Sequence, residues 1–299
     1  MISAYLRLAR LPNVFTSMAD VLAGLALARG GRIALTDLLL VGASGLLYPA
    51  GMVLNDFFDR HLDAVERPER PIPSGQVSAR AAGLLGFALL AAGVGVAAMA
   101  GLPSLLTAVA LAAAIVLYDA VAKATIAGPF VMGSCRALNI GLGLSVAGVS
   151  VGGLGVSASL PLAALLLPLG LGLYTALLTL LARDEVHGGS LGRVRLLVAA
   201  IAGLGVGYVV LLGAGSPAGF TPPALVFYAY LLVRGTLNFA PVWTSSEGRV
   251  VGPSIGGGIL LMPVIDAAAV AAAGHPLMAV AVFGLGVPAQ LLRRRFAMS

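Results

Sequence analysis

The run Asn55-Asp56-Phe57-Phe58-Asp59-Arg60-His61-Leu62-Asp63 is followed at once by Glu66-Arg67-Pro68-Glu69-Arg70-Pro71-Ile72-Pro73-Ser74-Gly75. Together they place five carboxylates and three arginines between Asp56 and Arg70. Asp56, Asp59 and Asp63 stand at i, i+3 and i+7. At about 100° per residue they share one face of a helix, within roughly 60° of each other. Three carboxylates on one stripe repel each other unless a cation sits among them. Hard oxygen ligands with no cysteine or clustered histidine suit Mg2+. Arginines just beyond suit a multivalent anion such as a diphosphate. Asn55 and Asp56 continue an apolar run, so part of this stripe lies at bilayer depth.

A second polar stretch, Arg183-Asp184-Glu185-Val186-His187-Gly188-Gly189, has the same character. Each stretch follows a long apolar segment and four further segments separate them. The simplest physical reason is a shared polar mouth, with the two acidic patches facing across a cavity. Between them come Tyr118-Asp119 with Lys123, and Arg136 with Asn139. Arg136 at membrane depth is expensive and is expected to face the interior. Glu66, Glu69 and Glu247 read as solvated surface. His187 beside Asp184 lacks the activated serine of a hydrolase. Asp20 and Asp266, inside apolar stretches, are either a structural pair or cavity residues. Cys135, the single cysteine, excludes disulfides and a thiolate metal cage and reads as packing.

The elements that position these residues are membrane helices. Hydrophobic residues make up 59% and charged residues 10% of the chain, with mean hydropathy +1.01. A soluble domain carries about 25% charge. Apolar segments fall near 12–28, 35–57, 78–100, 103–121, 128–150, 160–182, 192–213, 221–239, 253–273 and 276–292, broken by Gly, Pro or charge. The fold expected is all-α: a polytopic transmembrane bundle of nine to ten spans in one integral domain, 1–299. Residues 1–10 read as a short interfacial helix with Tyr5, Arg7 and Arg10 at headgroup level. The clusters Gly141-x-Gly143, Gly203-x-Gly205-x-Gly207 and Gly256-Gly257-Gly258 lie inside apolar runs and are expected to serve close helix packing. With the N-terminus cytoplasmic, fifteen of eighteen Lys/Arg fall in or beside cytoplasmic regions. That distribution accounts for the net charge of +6 as membrane topology, so nucleic acid is discounted. The polar loops then face the cytoplasm from the inner membrane.

The pattern Asn55-Asp56-x-x-Asp59-x-x-x-Asp63, with Arg67 and Arg70-Pro71-Ile72-Pro73-Ser74-Gly75, resembles the first signature of UbiA-type intramembrane prenyltransferases. The resemblance extends to Leu6-Arg7-Leu8-Ala9-Arg10-Leu11-Pro12-Asn13 before the first span, to Tyr118 and Lys123, and to the acidic loop after span six. Members of that superfamily transfer a prenyl group from a diphosphate to an acceptor, and two aspartate motifs hold Mg2+. The resemblance implies metal binding by Asn55, Asp56, Asp59, Asp63 and Asp184. It implies catalytic roles for Asp56, Asp59, Asp63, Lys123 and Asp184. Substrate contacts would come from Asn13, Asn55, Arg67, Arg70, Tyr118, Arg136, Asn139 and Glu185. The second motif departs from the pattern, because Gly188 stands where a second aspartate is usual. That stretch, with Arg136-Ala137-Leu138-Asn139, is most similar to the EboC-type branch. The function expected is Mg2+-dependent transfer of a prenyl group from a prenyl diphosphate lipid to a small aromatic or polar acceptor. The alternative is a catalytically weak homologue that binds or transports prenyl lipids. An ion-coupled transporter is disfavoured, because the acidic residues gather at one face rather than the midplane.

Overall fold

A computed structural model of the chain describes residues 2–147, 150–151, 154–155, 160–187 and 189–293, with side chains described over 4–147, 160–183 and 189–292. The helices run α1 Ile2–Leu8, α2 Leu11–Ala28, α3 Leu38–Phe58, α4 Arg60–Glu66, α5 Ala79–Ala98, α6 Leu102–Leu117 and α7 Gly128–Leu144. They continue with α8 Leu162–His187, α9 Leu191–Gly215, α10 Pro222–Phe239, α11 Gly248–Ala272, α12 Pro276–Gly284 and α13 Gly286–Arg293. Eight of these stretches are long and apolar enough to cross a membrane: α2, α3, α5, α6, α7, α8, α9 and α11. The remaining two apolar segments are α10, eighteen residues carrying Arg234, and α12–α13, which breaks at Leu285. The chain is an integral membrane protein.

Local sequence sets the helix ends. Ser78 caps α5 by accepting from the Ala81 amide, and Ser190 caps α9 by accepting from Arg193. Proline occupies the first turn of α2, α6, α7, α10 and α12, where no amide partner is lost. The expected segment 128–150 ends six residues early at Leu144, where Ser145–Ala147 tightens into a 3-10 turn. A two-residue antiparallel pair, Ser150–Val151 with Leu154–Gly155, follows. This glycine-rich stretch supplies little helix propensity.

Two apolar cores form. One joins α3, α5 and α6 to α2 and α7, around Leu25, Leu47, Leu54 and Leu142. The other joins α8 to α12 with the opposite side of α2 and α7, around Leu27, Ile140, Leu171 and Leu181. Helices α2 and α7 therefore form the seam. Their close crossing needs glycine: a Cβ on Gly143 would run into the Val21 carbonyl oxygen and come within 3.0 Å of the Gly24 Cα. Gly257 and Gly258 likewise face Asn238 and Leu178 side chains closely. The triad Gly203, Gly205 and Gly207 behaves otherwise. A Cβ there meets nothing within 4 Å, so these glycines pack against no neighbouring helix, and the expectation of close packing is corrected for α9.

Candidate active site

The aspartate stripe straddles a helix break. α3 stops at Phe58, Asp59 keeps right-handed helical angles (φ −80°, ψ −2°), and α4 begins at Arg60. The turn stays near helical, so Asp56 and Asp63 still share a face. Arg70 shows this directly: its Nη1 lies 3.4 Å from Asp56 Oδ1 and 2.8 Å from Asp63 Oδ2. Lys123 pairs with Asp59. Arg10 reaches Asp56 Oδ1 at 3.6 Å. Asn55 Nδ2 donates to Asp119 Oδ1 at 2.9 Å, leaving its own carbonyl oxygen available.

Each cation arrives from a different element. Arg70 sits in the turn after α4, where Ile72 and Val77 pack with Ala4, Leu8, Val53 and Ala82. Arg7 of α1 also bonds Gln76. The turn is thereby anchored over the mouth. Lys123 follows a wide π turn at Tyr118–Ala122, which also turns Asp119 toward the cavity. Arg183 of α8 donates to the Lys123 and Thr125 carbonyl oxygens at 2.6 and 2.7 Å. So the end of α8 reaches the same mouth as the end of α3. The side chains of Asp184 and Glu185, and Gly188 itself, lie outside the described residues. Arg67 is half-buried and makes no ion pair among the described residues, while Glu66 and Glu69 are exposed.

Beneath this mouth lies a cavity of about 310 Å3, lined by α2, α3, α6, α7, α8 and α11. Tyr48, Tyr118, Met132, Cys135 and Met262 supply part of its wall, so Cys135 is a cavity residue as well as a packing one. Its polar floor belongs to α2 and α7. Asn139 Nδ2 donates to Ser17 O and Asp20 Oδ2, both at 2.8 Å, and its Oδ1 accepts from Ser44 at 2.8 Å. Arg136 Nε lies 2.8 Å from Asp20 Oδ2, and Nη2 donates to Thr16 O at 3.1 Å. Asp266 of α11 abuts Asp20, and both carboxyls are fully buried. Asp20 and Asp266 are thus a structural pair behind the floor. Asn13, 4% exposed, presents an Oδ1 with no hydrogen-bond partner among the described residues.

Two residues of the site escaped the sequence reading. Arg10 was placed at headgroup level, yet it turns inward. It is the only non-glycine with positive φ among the described residues (φ 44°), a conformation that costs about 1–3 kcal/mol. Asp119 was noted beside Tyr118 but given no role. It is 91% buried, lines the cavity, and has no cationic partner at ion-pair distance among the described residues.

The donor set fits Mg2+. All the candidate ligands are oxygen atoms, and no three acidic, histidine or cysteine side chains among the described residues form a closed metal cage. Mg2+ keeps several waters and takes one or two carboxylates plus substrate phosphates, so an open arrangement is the appropriate one.

The sequence model of the UbiA prenyltransferase family matches residues 17–249. The chain belongs to that family. Among curated UbiA relatives, digeranylgeranylglyceryl phosphate synthase of Methanopyrus kandleri is 40% identical over 94 residues, 31% of this chain and 34% of that one. The Metallosphaera sedula enzyme of the same name is 33% identical over 138 residues, 46% of this chain and 49% of that one. The chain thus aligns with a third to a half of these relatives' length. The apo UbiA homologue from Aeropyrum pernix superposes with a TM-score of 0.68 at 24% identity, covering 85% of this chain and 96% of that one. The Archaeoglobus fulgidus UbiA homologue solved with GPP and Mg2+ gives 0.65 at 17% identity, covering 94% and 99%. Both likenesses speak to the fold.

Proposed function

We propose that this UbiA-family protein is a Mg2+-dependent prenyltransferase that moves an isoprenoid chain from a prenyl diphosphate to a small acceptor within the membrane. The observation that carries the reading is the convergence of Asp56, Asp63 and Arg70, with Asp59 and Lys123, over a cavity floored by Arg136 and Asn139. Family membership and the names of the curated relatives support the same reaction class.

Asp56, Asp59 and Asp63, with the Asn55 carbonyl oxygen, would hold the metal, and Asp184 would add a ligand from the end of α8. Mg2+ held there would supply positive charge against the negative charge building on the leaving diphosphate. Arg10, Arg70 and Lys123 would exchange their carboxylate partners for phosphate oxygens, and Arg67, half-buried beside them, would add a further donor to the same charge. The carbon–oxygen bond to diphosphate then breaks and the new bond to the acceptor forms. The apolar wall keeps water from the allylic carbon, with Tyr118 and Tyr48 beside the reacting centre. Arg136, Asn139 and Asn13 orient the acceptor's polar end. Glu185 would add a substrate contact, as the family resemblance implies. The mouth opens to the cytoplasmic side of the inner membrane.

Radiolabelled geranylgeranyl diphosphate, Mg2+ and a lipid extract given to purified protein should yield a new labelled lipid, whose mass identifies the acceptor. Saturable prenyl diphosphate binding without any product would instead support a lipid-binding homologue.

A further inference from the structure

A second cavity, about 640 Å3 and larger than the one under the carboxylates, lies on the other side of α8 and α11. Its walls are almost wholly apolar and come from α8, α9, α10 and α11. It begins at Trp243 and Thr244 and ends near Tyr208, Ile265 and Gly170, about two-thirds of the way along their helices from that end. On α9 it runs from Val198 to Tyr208, about 15 Å at 1.5 Å per residue. That is half the length of a hydrocarbon core of about 30 Å, enough for much of one acyl chain. One glycine of α9 belongs here: Gly205 lines the groove, and a Cβ on it meets no protein atom within 4 Å.

The upper end carries charge. Arg195 Nε donates to the Trp243 carbonyl oxygen at 2.8 Å, and its guanidinium lies 5.9 Å from the Trp243 ring centroid. Arg195 is exposed, and its terminal amino groups meet no protein acceptor among the described residues. This end is at the membrane face of the aspartate cluster, because α9 follows the end of α8 that Arg183 ties to Lys123. An apolar slot about 15 Å long, headed by an interfacial tryptophan and an arginine fork, matches an anionic lipid in length and in charge.

We propose that the groove binds one acyl chain of an anionic glycerophospholipid from the leaflet on the carboxylate side, with its phosphate on Arg195. Bound there, the lipid would fill the space between α9 and α10 that protein side chains leave open.

The test is native mass spectrometry of the purified protein titrated with phosphatidylglycerol or phosphatidylcholine, with Gly205→Leu and Arg195→Gln as variants. Gly205→Leu adds a side chain only to the groove, and the thermal midpoint of each variant confirms folding. Wild type should retain one phosphatidylglycerol more tightly than phosphatidylcholine by about fivefold, the size expected of one interfacial arginine. Arg195→Gln should remove that preference, and Gly205→Leu should remove the retained lipid of either kind. Equal retention of the two lipids by wild type, or retention unchanged in both variants, overturns the proposal. Displacement of the phosphatidylglycerol by geranylgeranyl diphosphate would assign the groove to substrate instead. Dimers lost in Gly205→Leu would assign it to a second copy of the chain.

Discussion

Asp56, Asp59 and Asp63 would repel one another on any helix that carried them at this spacing, and the fold relieves this with a cation for each. Arg10 and Arg70 serve Asp56, Lys123 serves Asp59, and Arg70 also serves Asp63. The spacing of the three aspartates was legible because helical periodicity depends on nothing outside the helix. The identity of their partners was only half legible. Arg70 is close in sequence, but Arg10 reaches the site through a left-handed backbone conformation that no residue pattern announces. Asp20 and Asp266 are 246 positions apart, and only the packing of α11 on α2 makes them neighbours. Among the described residues Arg136 is the one cation paired with this buried network, through Asp20, so Arg136→Met should strand that carboxyl and cost about 3–5 kcal/mol. Thermal unfolding in detergent would show it. An unchanged midpoint would mean that the network holds the floor's shape without holding the fold.

At the scale of elements, the turn after α4 acts as a fixed lid. Pro71 and Pro73 restrict its backbone, Ile72 and Val77 anchor it in a small apolar cluster, and Arg70 is its working end. Arg70 meets Asp56 and Asp63 through Nη1 alone, and Arg70→Lys loses the remaining guanidinium donors that would hold the diphosphate, so activity should fall by about tenfold or more. Glu69→Ala should change little, since Glu69 is exposed. Equal effects in a prenyl-transfer assay would reduce the lid to a solvated loop. The glycine clusters divide in the same testable way. Gly143→Ala puts a methyl into the Val21 carbonyl and should lower the thermal midpoint clearly. Gly207→Ala meets open space and should be neutral or slightly stabilising, since alanine favours helix by about 1 kcal/mol. Sequence alone gave both clusters one reading, because spacing on a helix does not say whether a neighbour stands opposite. The break at Leu285 between α12 and α13 is marked by Gly284, Gly286 and Pro288, but hydropathy runs unbroken across 276–292 and hid it.

Across the whole molecule, hydropathy located ten apolar segments, and helices occupy all ten. The helix ends agree within a few residues wherever proline, glycine or charge punctuates the chain. What hydropathy could not supply was neighbourhood: that α2 and α7 form the seam of two cores, and that the cavity lies there. On the orientation proposed above, crossing by α10 and by α12–α13 as well as the eight long helices would put both termini on the cytoplasmic side with the aspartate mouth. In a Cys135→Ser background, Met298→Cys should react with an impermeant maleimide only after the inner face is opened. Labelling of intact cells would leave α12–α13 as a segment that does not cross.

The central claim is that the α3–α4 carboxylates hold the metal on which departure of the diphosphate depends. It is tested most directly by Mg2+-dependent diphosphate release from geranylgeranyl diphosphate, with wild type and Asp59→Asn measured side by side in the presence of a lipid extract. Wild type should release diphosphate in proportion to added Mg2+. Asp59→Asn should be slower by at least about 100-fold, with an unchanged or higher thermal midpoint because one like charge is gone. Release by Asp59→Asn at the wild-type rate, or by wild type with chelator in place of Mg2+, would contradict the account.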